Sequence, residues 1–268
     1  MNIMRILFVG DIVGTPGVEI VKAAVPVLRE RERLDCIVVN AENASGGSGI
    51  TPSVYRQLKA VGVDAFTLGD HIYKKFDIAD VLSKPTEPIC KPANYPAEAP
   101  GRDHVIVTTA NGVTFAVISL MGRTYMRPVD CPFAAIDRVL AALPADVKTI
   151  LVDVHAEATA DKYQLGYYLD GRVSAVLGTH THVPTADERI LPKGTAFQCD
   201  VGMTGPYDSV LGRRSDRVIQ TARTFIPTAF DVATGDVRLA GAIVDIDETT
   251  GRATAIRRAM YTLTDLKN

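Results

Sequence analysis

Two histidines one residue apart, His180 and His182, stand in Gly178-Thr179-His180-Thr181-His182-Val183, directly after the apolar run Val173-Ser174-Ala175-Val176-Leu177. If strand geometry continues past Gly178, both imidazoles point to one face. If the chain turns there, both can still converge beyond the strand end. Imidazole is the commonest nitrogen ligand for Zn, Fe, Mn and Ni. By itself the pair also fits two loop histidines that share no task, so the rest of the chain decides.

Other ligand-type groups recur in the same position. Asp11, Glu42, Asp70 with His71, and His155 each stand just past the end of a predicted strand, and four of the five histidines lie at such ends. The fifth, His104, reads as a surface residue of an irregular segment. In open α/β sheets the carboxyl ends of parallel strands form the functional rim, so topology would bring these distant residues to one edge. The donors are carboxylate oxygen and imidazole nitrogen without thiolate, which suits Fe, Mn or Zn at a hydrolytic site better than a structural zinc. They are too many for one tetrahedral ion. Two ions about 3.5–4 Å apart, sharing a carboxylate, would use them all, clamp a phosphate oxygen and turn a bridging water into a hydroxide nucleophile. A neighbouring histidine would protonate the leaving alkoxide.

The elements that must position these groups are read from apolar runs. Ile6 to Val9 is a buried parallel strand closed by Gly10. A helix over 18–31 follows, and Pro26 predicts a kink or a late start. The next strand, Asp35 to Val39, closes in Asn40-Ala41-Glu42-Asn43. Thr51 as N-cap and Pro52 at the first helical position start a helix to about Val61. Val63 to Leu68 leads into Gly69-Asp70-His71, and a short helix covers about 78–82. Residues 84–102 carry five prolines and form a surface excursion. Val105 to Val107 and Val113 to Ile118 make a hairpin at Asn111-Gly112, and Phe133 to Leu143 is helical. Thr149 to Val154 leads to His155, and Thr195 to Cys199 leads to Asp200. In the tail, 229–232, 242–246 and 253–256 alternate as antiparallel strands of a second sheet.

Bulk properties exclude several classes. The 268 residues, 47% hydrophobic and 22% charged, describe a soluble globular chain with a sizeable core. A net charge of −2 gives no electrostatic case for a stable nucleic-acid complex. No apolar run reaches membrane length and the N-terminal run is too short for a signal peptide, so a cytoplasmic protein without membrane contact is expected. The four cysteines lack C-x-x-C spacing, which excludes zinc ribbons and thioredoxin-like chemistry. Gly14 to Gly17 has neither G-x-G-x-x-G nor a Walker lysine.

In combination, Gly10-Asp11, Gly69-Asp70-His71, His155 and the His-x-His segment resemble the calcineurin-like metallophosphoesterase pattern. More narrowly, Gly10-Asp11-Ile12-Val13-Gly14, Asn40-Ala41-Glu42-Asn43, the stretch 153–159, 178–183, Asp200-Val201-Gly202-Met203 and Gly205-Pro206-Tyr207-Asp208 resemble the bacterial YmdB-like phosphodiesterases. The resemblance spans nearly the whole chain and implies one metallophosphoesterase domain over 1–268, folded as a four-layer α/β/β/α sandwich. It implies hydrolysis of phosphodiesters such as 2′,3′-cyclic nucleotides, with two divalent or mixed-valence ions, iron or manganese ahead of zinc. It assigns Asp11, Glu42 and His182 to the first metal. Glu42 bridges to the second, which Asp70, His155 and His180 complete. Asn43 lies beside the first metal or the phosphate, and His71 is the general acid. One position departs: the wider family has Asn where this chain has Asp70. A third negative charge is expected to hold metal more tightly and to attract an anionic phosphate less.

Arg123, following a strand, would clamp phosphate, with a surface salt bridge as the alternative. Asp200 would orient a metal histidine or simply belong to a turn. Glu157 would orient a ligand or favour a helix N-terminus, and Tyr207 would stack on a base or pack. Three other functions remain as alternatives: a phosphomonoesterase or phosphoprotein phosphatase of the same fold, an amidohydrolase (β/α)₈ barrel, and a regulatory metal-binding protein. The strand order and the antiparallel tail disfavour the barrel. A homo-oligomer built through the proline-rich segment is left open.

Overall fold

Side chains along the first strand, Ile3–Val9, alternate between two separate cores. Met4, Ile6 and Phe8 enter one, Leu7 and Val9 the other, as the two-residue period of a strand requires. The computed structural model describes residues 2–109 and 112–267. In chain order its elements are β1 (Ile3–Val9), α1 (Gly14–Arg31), β2 (Cys36–Asn40), α2 (Pro52–Ala60), β3 (Ala65–Thr67), α3 (Ala79–Leu82), β4 (His104–Thr108) and β5 (Thr114–Met121). Then come α4 (Pro132–Ala142), β6 (Thr149–His155), α5 (Thr159–Leu169), β7 (Ala175–Thr179), β8 (Arg189–Ile190), β9 (Ala196–Gln198) and β10 (Gly205–Pro206). The chain closes with α6 (Ser215–Thr224), β11 (Val237–Asp247) and β12 (Ala253–Thr262).

Two sheets stack face to face. One has the order β10-β11-β1-β2-β3, with β12 also on β11; the other runs β4-β5-β6-β7-β9-β8. The core between them takes Ile6, Phe8, Cys36 and Val38 from the first sheet and Phe115, Val117, Leu151 and Leu177 from the second. The opposite parity faces outward. Leu7, Val9, Ile37 and Val39 pack with Val21, Val25 and Leu28 of α1 and Leu58 of α2. Ala116, Ile118, Ile150 and Val152 pack with Ile136 and Val139 of α4 and Leu165 of α5. Three cores between four layers make the α/β/β/α sandwich of the metallophosphoesterase type.

β1, β2 and β3 are mutually parallel, as are β5, β6, β7 and β9. Their carboxyl ends form the rim that carries the ligand-type residues. Thr51 caps α2 by accepting the Val54 N–H. The hairpin pairing β4 with β5 is present, although its expected turn residue Asn111 lies outside the described residues.

Several expectations are corrected. α1 starts early, at Gly14, and continues through Pro26. Pro26 is exposed, so water can take up the carbonyl left without its helical N–H. His104 is a half-buried residue of β4, its Nδ1 2.8 Å from Asp103. The tail forms no sheet of its own, because β11 pairs antiparallel with the whole of β1, from Ile3 opposite Asp247 to Val9 opposite Gly241. Residues 229–232 form no strand beyond a single bridge from Val232 to Arg213. α6 carries no buried side chain, so apolar patterning did not announce it. Among the described residues no helix is long and apolar enough to cross a membrane.

Candidate metal centre

Strand parity explains why polar side chains gather where the two sheets meet. Asn40, Thr67, Asp153, His155 and Thr179 share parity with the inter-sheet core residues Val38, Ala65, Leu151 and Leu177. Each stands at the carboxyl end of its strand, beyond the apolar filling. All five are fully buried, and they form the floor of the centre.

Above that floor, Glu42, Asp70, His155 and His180 each bring one donor atom within 4.8 Å of the others. His155 Nε2 lies 3.1 Å from Asp70 Oδ1, 3.3 Å from Glu42 Oε1 and 3.1 Å from His180 Nδ1. His182 falls on the other flank. Its Nε2 is 3.8 Å from Asp11 Oδ1 and 3.3 Å from Asn43 Nδ2. Gly69 admits this packing, since a Cβ there would overlap the His155 ring and the Glu42 carboxylate.

Hydrogen bonds fix the imidazole tautomers. The Thr179 hydroxyl donates to Asp153 Oδ1 at 2.6 Å. Its oxygen must therefore accept from His155 Nδ1–H, 2.8 Å away, and Nε2 is the nitrogen turned to the cluster. Asp153 Oδ2 accepts from Asn40 Nδ2 at 2.9 Å and from Thr67 Oγ1 at 2.6 Å. His182 Nδ1 donates to the Leu211 carbonyl at 3.1 Å, which turns its Nε2 toward Asp11. The outer Nε2 of His180 lies 3.2 Å from Glu157. Sequence reasoning missed Thr67, Asp153 and Thr179 as supports. Their signal was a polar residue at core parity near a strand end.

The histidine segment is held against backbone strain. His180 and His182 have φ of 93° and 66°, a region unfavourable to residues with a Cβ. Asp11 Oδ2 accepts the His180 N–H at 3.0 Å. Asp200 accepts from the Thr181 N–H at 3.1 Å and from its hydroxyl at 2.6 Å. Asp200 is itself paired with the buried Lys162 at 2.7 Å. So Asp200 grips the residue between the two histidines and touches neither ring.

His71 and Asn43 form a pair. His71 Nδ1 lies 2.7 Å from Asn43 Oδ1, Asn43 Nδ2 donates to Glu42 Oε1 at 2.9 Å, and the His71 N–H donates to Glu42 Oε2 at 2.9 Å. The Asn43 oxygen is thereby engaged with His71. Over the centre lies a cavity of about 270 Å³ lined by Glu42, Asn43, His71, His180, His182 and Arg213, among others. Arg123 is not part of that lining. It is exposed, and its backbone N–H donates to Asp161 at 2.8 Å. The arginine that lines the cavity is Arg213, from a turn far along the chain. Tyr207 packs beneath Arg238, and its hydroxyl donates to the Met203 carbonyl at 2.9 Å.

Charges are strongly coupled. Burial depresses the His155 imidazole, but Glu42 and Asp70 outweigh it and hold its pKa well above 6.5. Burial likewise raises Glu42, and His155 more than offsets this, leaving it below the usual carboxylate value. Asp70, despite burial, is held far below that value by hydrogen bonds from His155 and His180. Asp11 is raised by burial that His182 and His155 only partly counter. Burial pushes Asp153 up to about 6.

The residues fit a metal. Asp11 Oδ1 is buried without a hydrogen-bond partner among the described residues, a costly state for a carboxylate oxygen unless a cation meets it. The oxygen and nitrogen donors suit Fe, Mn or Zn.

Known proteins match this chain along nearly its full length. A family model described as YmdB-like protein matches residues 7–259. The 2′,3′-cyclic-nucleotide 2′-phosphodiesterase of Bacillus subtilis is 46% identical over 257 residues, covering 96% of this chain and 97% of that protein. A crystal structure of a hypothetical protein from Thermus thermophilus is similar with a TM-score of 0.90 at 41% identity, over 96% of this chain and 99% of the other. That of a novel phosphatase from Mycoplasma pneumoniae also has a TM-score of 0.90, at 30% identity, over 100% and 98%.

Proposed function

The chain belongs to the YmdB-like family, and on that premise we propose that it is a metal-dependent phosphoric diester hydrolase that opens 2′,3′-cyclic nucleotides at a dinuclear centre. The observation that carries this reading is the convergence of Glu42, Asp70, His155 and His180 beside a buried Asp11 oxygen without a partner. Similarity to the Bacillus subtilis enzyme supports the substrate class. Asp11, Glu42 and His182 would hold one ion and Asp70, His155 and His180 the other, with Glu42 placed to serve both and iron or manganese the natural occupants. When bound, the ions supply Lewis acidity for the phosphate and lower the pKa of water.

The chain's own residues do the rest. Thr179 and the Leu211 carbonyl keep Nε2 of His155 and of His182 pointed inward. Asn43 Oδ1 holds Nδ1–H of His71, so Nε2 is the atom from which protonated His71 passes its proton to the leaving ribose oxygen. Residues 1–268 act as one domain in this reading, because the C-terminal β11 completes the sheet begun by β1.

The test is turnover of 2′,3′-cyclic AMP by metal-stripped protein reloaded with Fe, Mn or Zn. Hydrolysis lost in His71→Ala, with metal content unchanged, is the expected result. No hydrolysis with any of the three metals would overturn the proposal.

A further inference from the structure

Arg213 is the one arginine or lysine among the residues that line the cavity over the centre. It sits on a tight turn, where Val210 and Arg213 exchange backbone hydrogen bonds of 2.9 and 3.0 Å. Leu211 and Gly212 have φ of 51° and 91°, as a type I′ turn requires. The same turn supplies the Leu211 carbonyl that orients His182. The position of Arg213 is therefore tied to that of a candidate metal ligand.

The guanidinium is held by carbonyls, with no carboxylate within salt-bridge distance among the described residues. Nη1 donates to Gly46 O at 3.2 Å and Phe230 O at 2.9 Å, and Nη2 donates to Gly47 O. Gly46 and Gly47 have φ of 66° and 80°, and a Cβ on Gly47 would overlap the guanidinium. The loop after Glu42 is thus shaped to receive this side chain. Neutral carbonyls fix its orientation, and Asp231 acts on its charge only from beyond ion-pair distance. Of five N–H donors, three are used. The Nε–H and one Nη2–H are left, two donors of the rigid planar fork that suits an oxyanion.

We propose that Arg213 is a substrate-binding residue whose remaining guanidinium donors take the non-bridging phosphate oxygens of the phosphodiester. This rests on the hydrolase reading above and adds to it the group that recognises the anion from outside the ligand set. It also answers the charge excess of Asp70: a cation at the cavity wall restores attraction for phosphate that a third carboxylate weakens.

The experiment titrates inorganic phosphate into manganese-loaded wild type, Arg213→Gln and Arg213→Lys by calorimetry. Metal content is measured in parallel, together with kcat and KM on 2′,3′-cyclic AMP. Loss of this charged contact is expected to weaken phosphate binding about ten- to a hundredfold in Arg213→Gln. Arg213→Lys should be weakened as well, since an ammonium keeps the charge and loses the planar fork. Manganese content should match wild type in both. Phosphate affinity unchanged in both variants would overturn the proposal. So would equal loss of manganese and thermal stability in both, which would make Arg213 a brace for the His182 loop. The two readings fail separately: wild-type turnover tests the hydrolase, and the phosphate titration tests Arg213.

Discussion

Replacing Lys162 by methionine would leave Asp200 a buried carboxylate without its counter-ion. The pair is 2.7 Å apart with side chains only 2% and 1% exposed, and removing one partner of such a pair costs about 3–5 kcal/mol. Asp200 would retain the Thr181 N–H and hydroxyl and the Gly202 N–H, so the lower end, about 3 kcal/mol, is expected. For a chain of this size that corresponds to a melting point lower by about 6–12 °C. The loss should extend to the metal centre, because Asp200 grips Thr181 between two residues held at positive φ, each strained by about 1–3 kcal/mol. Scanning calorimetry of metal-free and manganese-loaded protein measures the first effect, and bound manganese after dialysis the second. Asp200→Asn in the Lys162→Met background removes the stranded charge and should recover stability, with a coupling energy of about 2 kcal/mol. Strictly additive single and double variants, or Lys162→Met with unchanged melting and metal content, would refute the clamp.

Thr179→Val keeps side-chain shape but breaks the link from Asp153 to His155. Manganese affinity, measured by competition with a chelator, should fall about 10–100-fold, and an unchanged affinity would contradict the link. Asp70→Asn removes the carboxylate 3.1 Å from His155. It should weaken metal binding and lower KM for an anionic diester, and neither changing would sink the charge argument. The metal-free protein should be most stable below about pH 6.5 and lose stability as pH rises through the elevated His155 pKa. The folded state keeps that proton where the unfolded chain has released it. Melting points across pH 5.5–8.5 (roughly one and a half units either side of neutrality) test this, and His155→Gln should flatten the profile. Manganese binding at pH 7 should release protons, read with an indicator dye; no release would mean His155 is already neutral.

The ligand types and their positions were legible because strand ends are marked by composition. Apolar runs such as Ile6 to Val9 stop at Gly10, and a charged residue follows. Period-two parity even places Asp153 and Thr179 on the core side, although a sequence alone does not say what polar groups at core parity bond to. Arg123 illustrates the limit. It follows a strand on the correct rim, yet exposed and outside the cavity it leaves the cationic wall to Arg213. Nothing local distinguishes the two arginines. What distinguishes them is which carbonyls a turn some 165 residues after Gly46 meets.

The sequence by itself determined which ligand-type residues stand at strand ends and the rim on which they meet, because apolar periodicity and residue type are local properties, whereas the four layers came from the family resemblance. The family resemblance implied how His180 and His182 are divided, and only the tertiary structure shows what holds them to two flanks. His180 faces Glu42, Asp70 and His155, whereas His182 faces Asp11 and Asn43. The physical reason is the backbone. Positive φ at both histidines turns neighbouring side chains to opposite flanks. That conformation is imposed by Asp11, Asp200 and the Leu211 carbonyl, partners that fold to the loop from elsewhere in the chain.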